Sequence, residues 1–329
     1  MMKKKFLIFF IAVFLVVGSL LISTNSTDNL LKSDAQRINK GQLTVYTSIY
    51  PLYDLASKIA GDKLEVNLVV PNGAELHSYR PSPRKIAQLE RADLFFYIGL
   101  GVESWAPKAV QNLTNVGVKT IKISQIVNLR TFGEQHKAHE HKEKEGSYDP
   151  HIWLDPINMK KIAKKIKNQF VSLDSKNKKV YQANYQQVIH KIEELNQEYK
   201  STLKGVKQNY ILVSHAAFGY LADRYGFKQL SVTGVAPHQE PSLSTLAKLT
   251  DKAKEYNLEY IFMETLANPK TVNVLAQEAG LKVLPLNPIA GLTQEEKVAG
   301  ADYFSLMKEN LNNLKKALVS QNERNNRDK

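Results

Sequence analysis

Leu43-Thr44-Val45-Tyr46-Thr47-Ser48-Ile49, then an apolar helical pattern over residues 52–60, then Leu64-Glu65-Val66-Asn67-Leu68-Val69-Val70 form the stretch that decides the fold. It reads strand, helix, strand. A helix over 83–92 and the strand Leu94-Phe95-Phe96-Tyr97-Ile98 continue the alternation. Strands that alternate with helices form parallel sheets covered by helices. After residue 205 a second set begins, with strands at 210–213, 229–232, 260–263 and 282–286 and helices at 218–225, 245–256 and 271–280. The chain therefore reads as an α/β protein in two halves. Between them Tyr181, Tyr185, Val188, Ile192, Leu195 and Tyr199 recur at spacings of four and three, the stripe of one long helix. Over 176–204 that helix would span roughly 40 Å at 1.5 Å per residue, enough to bridge both halves as a stiff hinge that limits domain closure.

The ends of the chain speak to location. Lys3, Lys4 and Lys5 precede an apolar run from Phe6 to about Ile22, the layout of a secretory signal. Val16-Val17-Gly18-Ser19 has the form of a bacterial lipoprotein box with serine at the lipidated cysteine, and a hydroxyl cannot take the thioether-linked lipid. Two fates stay open: anchorage by the uncleaved apolar segment, or release by an unorthodox cleavage. Residues 23–41 are polar and aperiodic, as in a tether. The formal charge of +13 falls to +10 when the three N-terminal lysines leave with the signal. The lysines are scattered rather than grouped with aromatics, which argues against a nucleic-acid surface and leaves contact with an anionic envelope open.

Cysteine is absent, so disulfides, thiolate ligands and thiol nucleophiles are excluded, and any metal must rest on nitrogen and oxygen. Three histidines stand in distinctive surroundings: His77 in Glu75-Leu76-His77-Ser78-Tyr79, His151 in Asp149-Pro150-His151-Ile152-Trp153, and His215 in Val213-Ser214-His215-Ala216-Ala217. Three imidazoles form the core of a zinc site and leave one tetrahedral position open. Ligands of α/β sheets collect beyond the carboxyl ends of the strands. His77 and His215 each follow such a strand, one in each half, which places the site in the cleft between them. His136, His139 and His141 lie in a charged tract over 134–145 that suits loose metal capture. His190 reads as structural on the long helix, and His238 as a loop residue.

Pro71-Asn72-Gly73-Ala74 before His77, Gly99-Leu100-Gly101-Val102-Glu103-Ser104-Trp105, Asp149-Pro150-His151-Ile152-Trp153-Leu154-Asp155-Pro156 and Ser214-His215-Ala216-Ala217-Phe218-Gly219-Tyr220 occur in one order. In these motifs the chain resembles the solute-binding proteins of bacterial zinc and manganese ABC importers, including adhesin-type lipoproteins. The resemblance runs from about Gln42 to the C-terminal helix. It implies two pseudo-symmetric lobes joined by a rigid helix, with metal between the lobes on His77, His151 and His215. It also implies that a His-rich loop marks the zinc-type members. Many relatives carry an acidic ligand in the segment matching Leu286-Asn287-Pro288-Ile289-Ala290-Gly291, where this chain has Asn287 and Ala290. Water then takes the fourth position, with Glu264, Glu75 or the Asn287 carbonyl as substitutes and Glu264 the foremost carboxylate. Such a nitrogen-rich site suits zinc better than manganese, which is the alternative cargo.

The expected organisation is a signal or anchor at 1–22, a tether at 23–41, an N-terminal lobe at 42–175, a linking helix at 176–204, a C-terminal lobe at 205–320 and a polar tail at 321–329. The expected function is zinc capture outside the cytoplasmic membrane and delivery to an ABC permease with its cytoplasmic ATPase, by a monomer that is not an enzyme. Surface adhesion is a rival reading, as is a secreted zinc hydrolase. Against the hydrolase, the chain has no H-E-x-x-H helix to supply ligands and a general base together.

Overall fold

Short apolar strands and amphipathic helices alternate as the patterning requires. The computed structural model describes residues 42–131, 148–206, 209–234, 241–265 and 269–327. In the first lobe these are β1 (Thr44–Thr47), α1 (Tyr50–Ala60), β2 (Glu65–Leu68), α2 (Pro83–Leu89), β3 (Leu94–Tyr97), α3 (Ala106–Asn115) and β4 (Lys119–Lys122). Prolines open several of the helices: Pro51 in α1, Pro83 in α2 and Pro107 in α3 supply a preset φ where no amide donor is needed. Ser82 caps α2 by accepting from the Lys85 amide at 3.3 Å. Then come α4 (Pro156–Leu173) and the linking helix α5 (Lys178–Thr202). The second lobe follows with β5 (Tyr210–His215), α6 (Gly219–Tyr225), β6 (Lys228–Thr233), α7 (Leu243–Glu255), β7 (Tyr260–Met263), α8 (Lys270–Ala279), β8 (Lys282–Pro285), α9 (Gln294–Val298) and α10 (Tyr303–Arg327).

Both sheets are parallel and wound alike, β2-β1-β3-β4 and β6-β5-β7-β8. This is the expected pseudo-symmetry. Each lobe keeps a core of its own. Tyr46, Val69, Leu89, Phe95, Trp105 and Leu113 pack together in the first, and Leu212, Val232, Leu249, Ile261, Val272 and Leu275 in the second. In a sheet wound this way the strand order reverses between β1 and β3, and between β5 and β7, which opens a crevice at the strands' carboxyl ends.

The linking helix is 25 residues long, about 37 Å at 1.5 Å per residue. Its apolar stripe of Tyr181, Val188, Ile192, Leu195 and Tyr199 is buried, while Tyr185 is half-buried under Lys167. Asn184 Nδ2 donates to the Ile59 carbonyl of α1 at 3.2 Å, and Tyr199 Oη donates to the Met307 carbonyl of α10 at 2.7 Å. One helix thus grips both lobes. His190 is exposed on it, 3.2 Å from Glu194.

Two expectations are amended. β5 runs on through His215 rather than ending before it, so that imidazole sits on the strand itself. Helix α10 continues to Arg327 and takes in most of the stretch read as a polar tail. The expected segments 1–22 and 23–41, the tract with His136, His139 and His141, and His238 lie outside the described residues.

Ile192 is fully buried on the linking helix and, being apolar, contributes through packing alone. Ile192→Ala is expected to cost about 2–5 kcal/mol, the usual range for an aliphatic side chain truncated in a core. A lowered urea midpoint measures it; a midpoint equal to that of the parent would show that the helix does not depend on this contact.

Candidate metal centre

Four segments converge on one point. Pro71 to Arg80 forms a loop beyond β2 in which Gly73 takes φ +79°, a left-handed conformation that favours glycine. The Glu75 carboxylate accepts from the amides of His77 at 2.9 Å and Ser78 at 2.7 Å and so fixes the turn that carries His77. His151 opens a 3₁₀ turn, Ile152–Leu154, which the Pro150 and His151 carbonyls close. His215 ends β5, and Glu264 follows the last residue of β7, its neighbour across the strand-order reversal.

The three imidazoles come together. One ring nitrogen of each lies within 4.8 Å of the others. His151 and His215 are 1% and 2% exposed, while His77 is half-buried. Their Nε2 atoms face each other at 3.2 Å. Two nitrogens bound at 2.0–2.1 Å to a tetrahedral ion lie about 3.3 Å apart, so this spacing fits one metal held by both.

The far ring nitrogens are held by carboxylates. His151 Nδ1 lies 2.9 Å from Asp149 Oδ1, which also accepts from the His151 amide at 3.0 Å. His215 Nδ1 pairs with Glu264 Oε1, and Ser214 Oγ donates to the same oxygen at 2.6 Å. An ionised carboxylate only accepts, so each Nδ1 carries the proton and each Nε2 turns its lone pair to the centre. Burial alone would raise the Glu264 carboxyl, but His215 and Ser214 hold it below its ordinary value. The His77 imidazole is pushed down to about 3, first by burial and then by His151 and His215, and burial likewise lowers His151. Both rings stay neutral at ordinary pH, the state a metal requires.

The expected fourth-ligand candidates lie outside this cluster. Glu264 serves the outer face of His215, and Glu75 serves the turn amides. Asn287 is engaged elsewhere: its Oδ1 accepts from the Ile289 amide at 2.7 Å and its Nδ2 donates to Glu296 at 2.7 Å. Its carbonyl accepts from Asn310 Nδ2 at 2.7 Å. Ile289 is a buried β-branched residue at φ +57°, a strained conformation that needs such bracing. The sequence reading missed the outer role of Asp149, although Asp149 stands two residues before His151 in the motif that drew attention to it.

The model of the family "zinc-uptake complex component A periplasmic" matches residues 45–317. The high-affinity zinc uptake system protein ZnuA of Bacillus subtilis is 37% identical over 281 residues, covering 84% of this chain and 88% of that protein. The zinc-binding lipoprotein AdcA of Streptococcus pneumoniae is 36% identical over 301 residues, 90% of this chain, which spans only 60% of the lipoprotein's length. The crystal structure of the Zn(II)-bound ZnuA-like domain of the same AdcA aligns with a TM-score of 0.73 at 35% identity, covering 84% of this chain and 99% of that one.

The lowered imidazoles set an acid limit. Below about pH 6.5 the unfolded chain protonates its histidines while His77 and His151 in the fold do not, so the unfolded state binds more protons and stability falls. The urea midpoint of the metal-free protein is expected to drop between about pH 7 and pH 5, above the carboxylate range, and to drop less in a His77→Gln variant. Equal slopes in the two proteins would contradict the burial of a neutral His77.

Proposed function

The chain belongs to the family of the periplasmic component A of zinc-uptake complexes, and on that footing we propose that it captures zinc outside the cytoplasmic membrane and delivers it to an ABC permease driven by a cytoplasmic ATPase. The observation that carries this reading is the 3.2 Å approach of His151 Nε2 to His215 Nε2, each ring backed by a carboxylate. His77, His151 and His215 are the ligands, and water fills the fourth position. Asp149 and Glu264 orient the rings from outside the coordination sphere.

Cargo choice follows from the donor set. Three neutral nitrogens suit zinc, whereas manganese favours oxygen-rich and higher-coordinate surroundings. Capture is favoured over hydrolysis, because the two candidate bases are engaged elsewhere, Glu264 by His215 Nδ1 and Ser214 and Glu75 by the amides of His77 and Ser78. Release then requires the permease to disturb a ligand, since a nitrogen-rich site holds zinc tightly. Residues 1–22 serve as a signal peptide or an N-terminal anchor and residues 23–41 as a polar tether, and the tract with His136, His139 and His141 gathers zinc loosely for the deep site. Among the described residues no helix is long and apolar enough to cross a membrane.

Growth under zinc chelation tests this. A strain lacking the protein should grow slowly, recover with added zinc or the parental gene, and fail to recover with a His215→Ala gene. A gene lacking residues 134–145 should restore growth except at the scarcest zinc. Recovery by manganese alone, or full growth without the protein, would overturn the assignment.

A further inference from the structure

Behind His151 lies a second layer of contacts that the capture chemistry does not explain. Arg130 and Asp149 flank the antiparallel bridge between Thr131 and Tyr148. The Asp149 amide donates to the Arg130 carbonyl at 2.8 Å. The guanidinium Nη1 faces Asp149 Oδ2 at 3.6 Å, with the Arg130 and Asp149 side chains 12% and 0% exposed. The other oxygen of this carboxylate is the one that holds His151.

The second lobe clamps this pair. Arg130 Nε donates to Asp223 Oδ2 at 2.7 Å, and the Arg130 amide donates to Tyr220 Oη at 3.0 Å. Tyr220 Oη in turn donates to the Asp149 carbonyl at 2.9 Å. Gly219 opens the same helix, α6, and a Cβ added there would lie 2.6 Å from Arg130 Nη1 and 2.8 Å from Asp149 Oδ2. Such distances are too short for real atoms, so glycine is what lets α6 close on the pair. Its backbone is not left-handed, and alanine would cost nothing in local conformation. Helix α6 begins four residues after His215, so the segment that runs from β5 into α6 carries one imidazole and braces the support of another.

We infer that Arg130 is a positioning residue for metal capture: pressed onto Asp149 by α6 of the second lobe, it fixes the Asp149 carboxylate and through it the orientation of His151. At 3.6 Å the Nη1–Oδ2 approach is an ionic contact rather than a hydrogen bond, so the guanidinium, itself held by Asp223, restrains the carboxylate by charge and by close packing in addition to its hydrogen bonds with His151. The metal affinity of the site is thereby tied to the seating of one lobe on the other. This rests on the proposed zinc-capture function for its effect on affinity, but not for its effect on the His151 ring.

Zinc dissociation constants measured by chelator competition on the purified protein test the first effect. Arg130→Gln should weaken zinc about tenfold, in the range of outer-sphere losses, and Arg130→Lys should recover most of it. Gly219→Ala should weaken zinc through the same pair, and the Arg130→Gln/Gly219→Ala double variant should be no weaker than the worse single one. Constants within twofold of the parent for both single variants, or strictly additive losses, would overturn the inference. Ring nitrogen resonances of His151 in the metal-free protein provide a readout independent of zinc. Arg130→Gln and Gly219→Ala should shift His151 from a single Nδ1–H tautomer to a mixture, and Arg130→Lys should not. An unchanged His151 pattern in both would refute the positioning role even if zinc binds well. Failure of the parent protein to bind zinc, with the tautomer shifts present, would count against the proposed function alone.

Discussion

Everything at the centre depends on keeping two imidazole lone pairs aimed at one point 3.2 Å apart. Without a cation between them such lone pairs repel, so the fold has to hold the rings by their far sides. It does so with Asp149 and Glu264, both buried, one supplied by each lobe. Burying carboxylates is expensive unless they are hydrogen-bonded and paired. Ser214, the His151 amide and the Arg130 guanidinium supply those partners. The architecture around the cleft is, in physical terms, a support for two oriented rings, with His77 reaching in from the loop above.

The two lobes share a winding but not a chemistry. By strand register, Ser48 after β1 occupies the place that Ser214 occupies near the end of β5. Each serine donates to a buried glutamate, Ser48 to Glu103 at 2.5 Å and Ser214 to Glu264 at 2.6 Å. In the first lobe the next residue is Ile49, and Glu103 turns to the backbone amides of Ile98 and Gly99 instead. Burial pushes that carboxyl up, whereas Glu264, beside His215, is held down. The frame is repeated but its glutamates are not placed alike: Glu103 stands six residues beyond the end of β3 and Glu264 directly beyond β7, and only the second has a histidine, His215 where the first lobe has Ile49, to pair with.

Much of this was legible in the sequence because the informative residues obey local rules. Apolar strands such as Leu94-Phe95-Phe96-Tyr97 and the stripe of the linking helix declare themselves by period. The edge strand β4 did not, because Lys119 and Lys122 carry the charge that protects an exposed sheet edge and masks the strand pattern. The three histidines were found from their surroundings. The contacts of Glu264 and Asn287 were not: a carboxylate that faces a group of imidazoles and one that pairs behind a ring look alike in sequence, and only the structure places Glu264 against His215 Nδ1. Asn287 was drawn in by the resemblance of its segment to that of relatives, while its side chain is engaged by the strained backbone of Ile289 and by Glu296.

Calorimetric titration of the metal-free protein with zinc, and separately with manganese, addresses the central claim most directly. One tight zinc per chain, lost on His151→Ala and with manganese at least about a hundredfold weaker, is the result this arrangement of three nitrogens requires. Tight zinc binding that survives the loss of His151, or manganese bound as well as zinc, would contradict it.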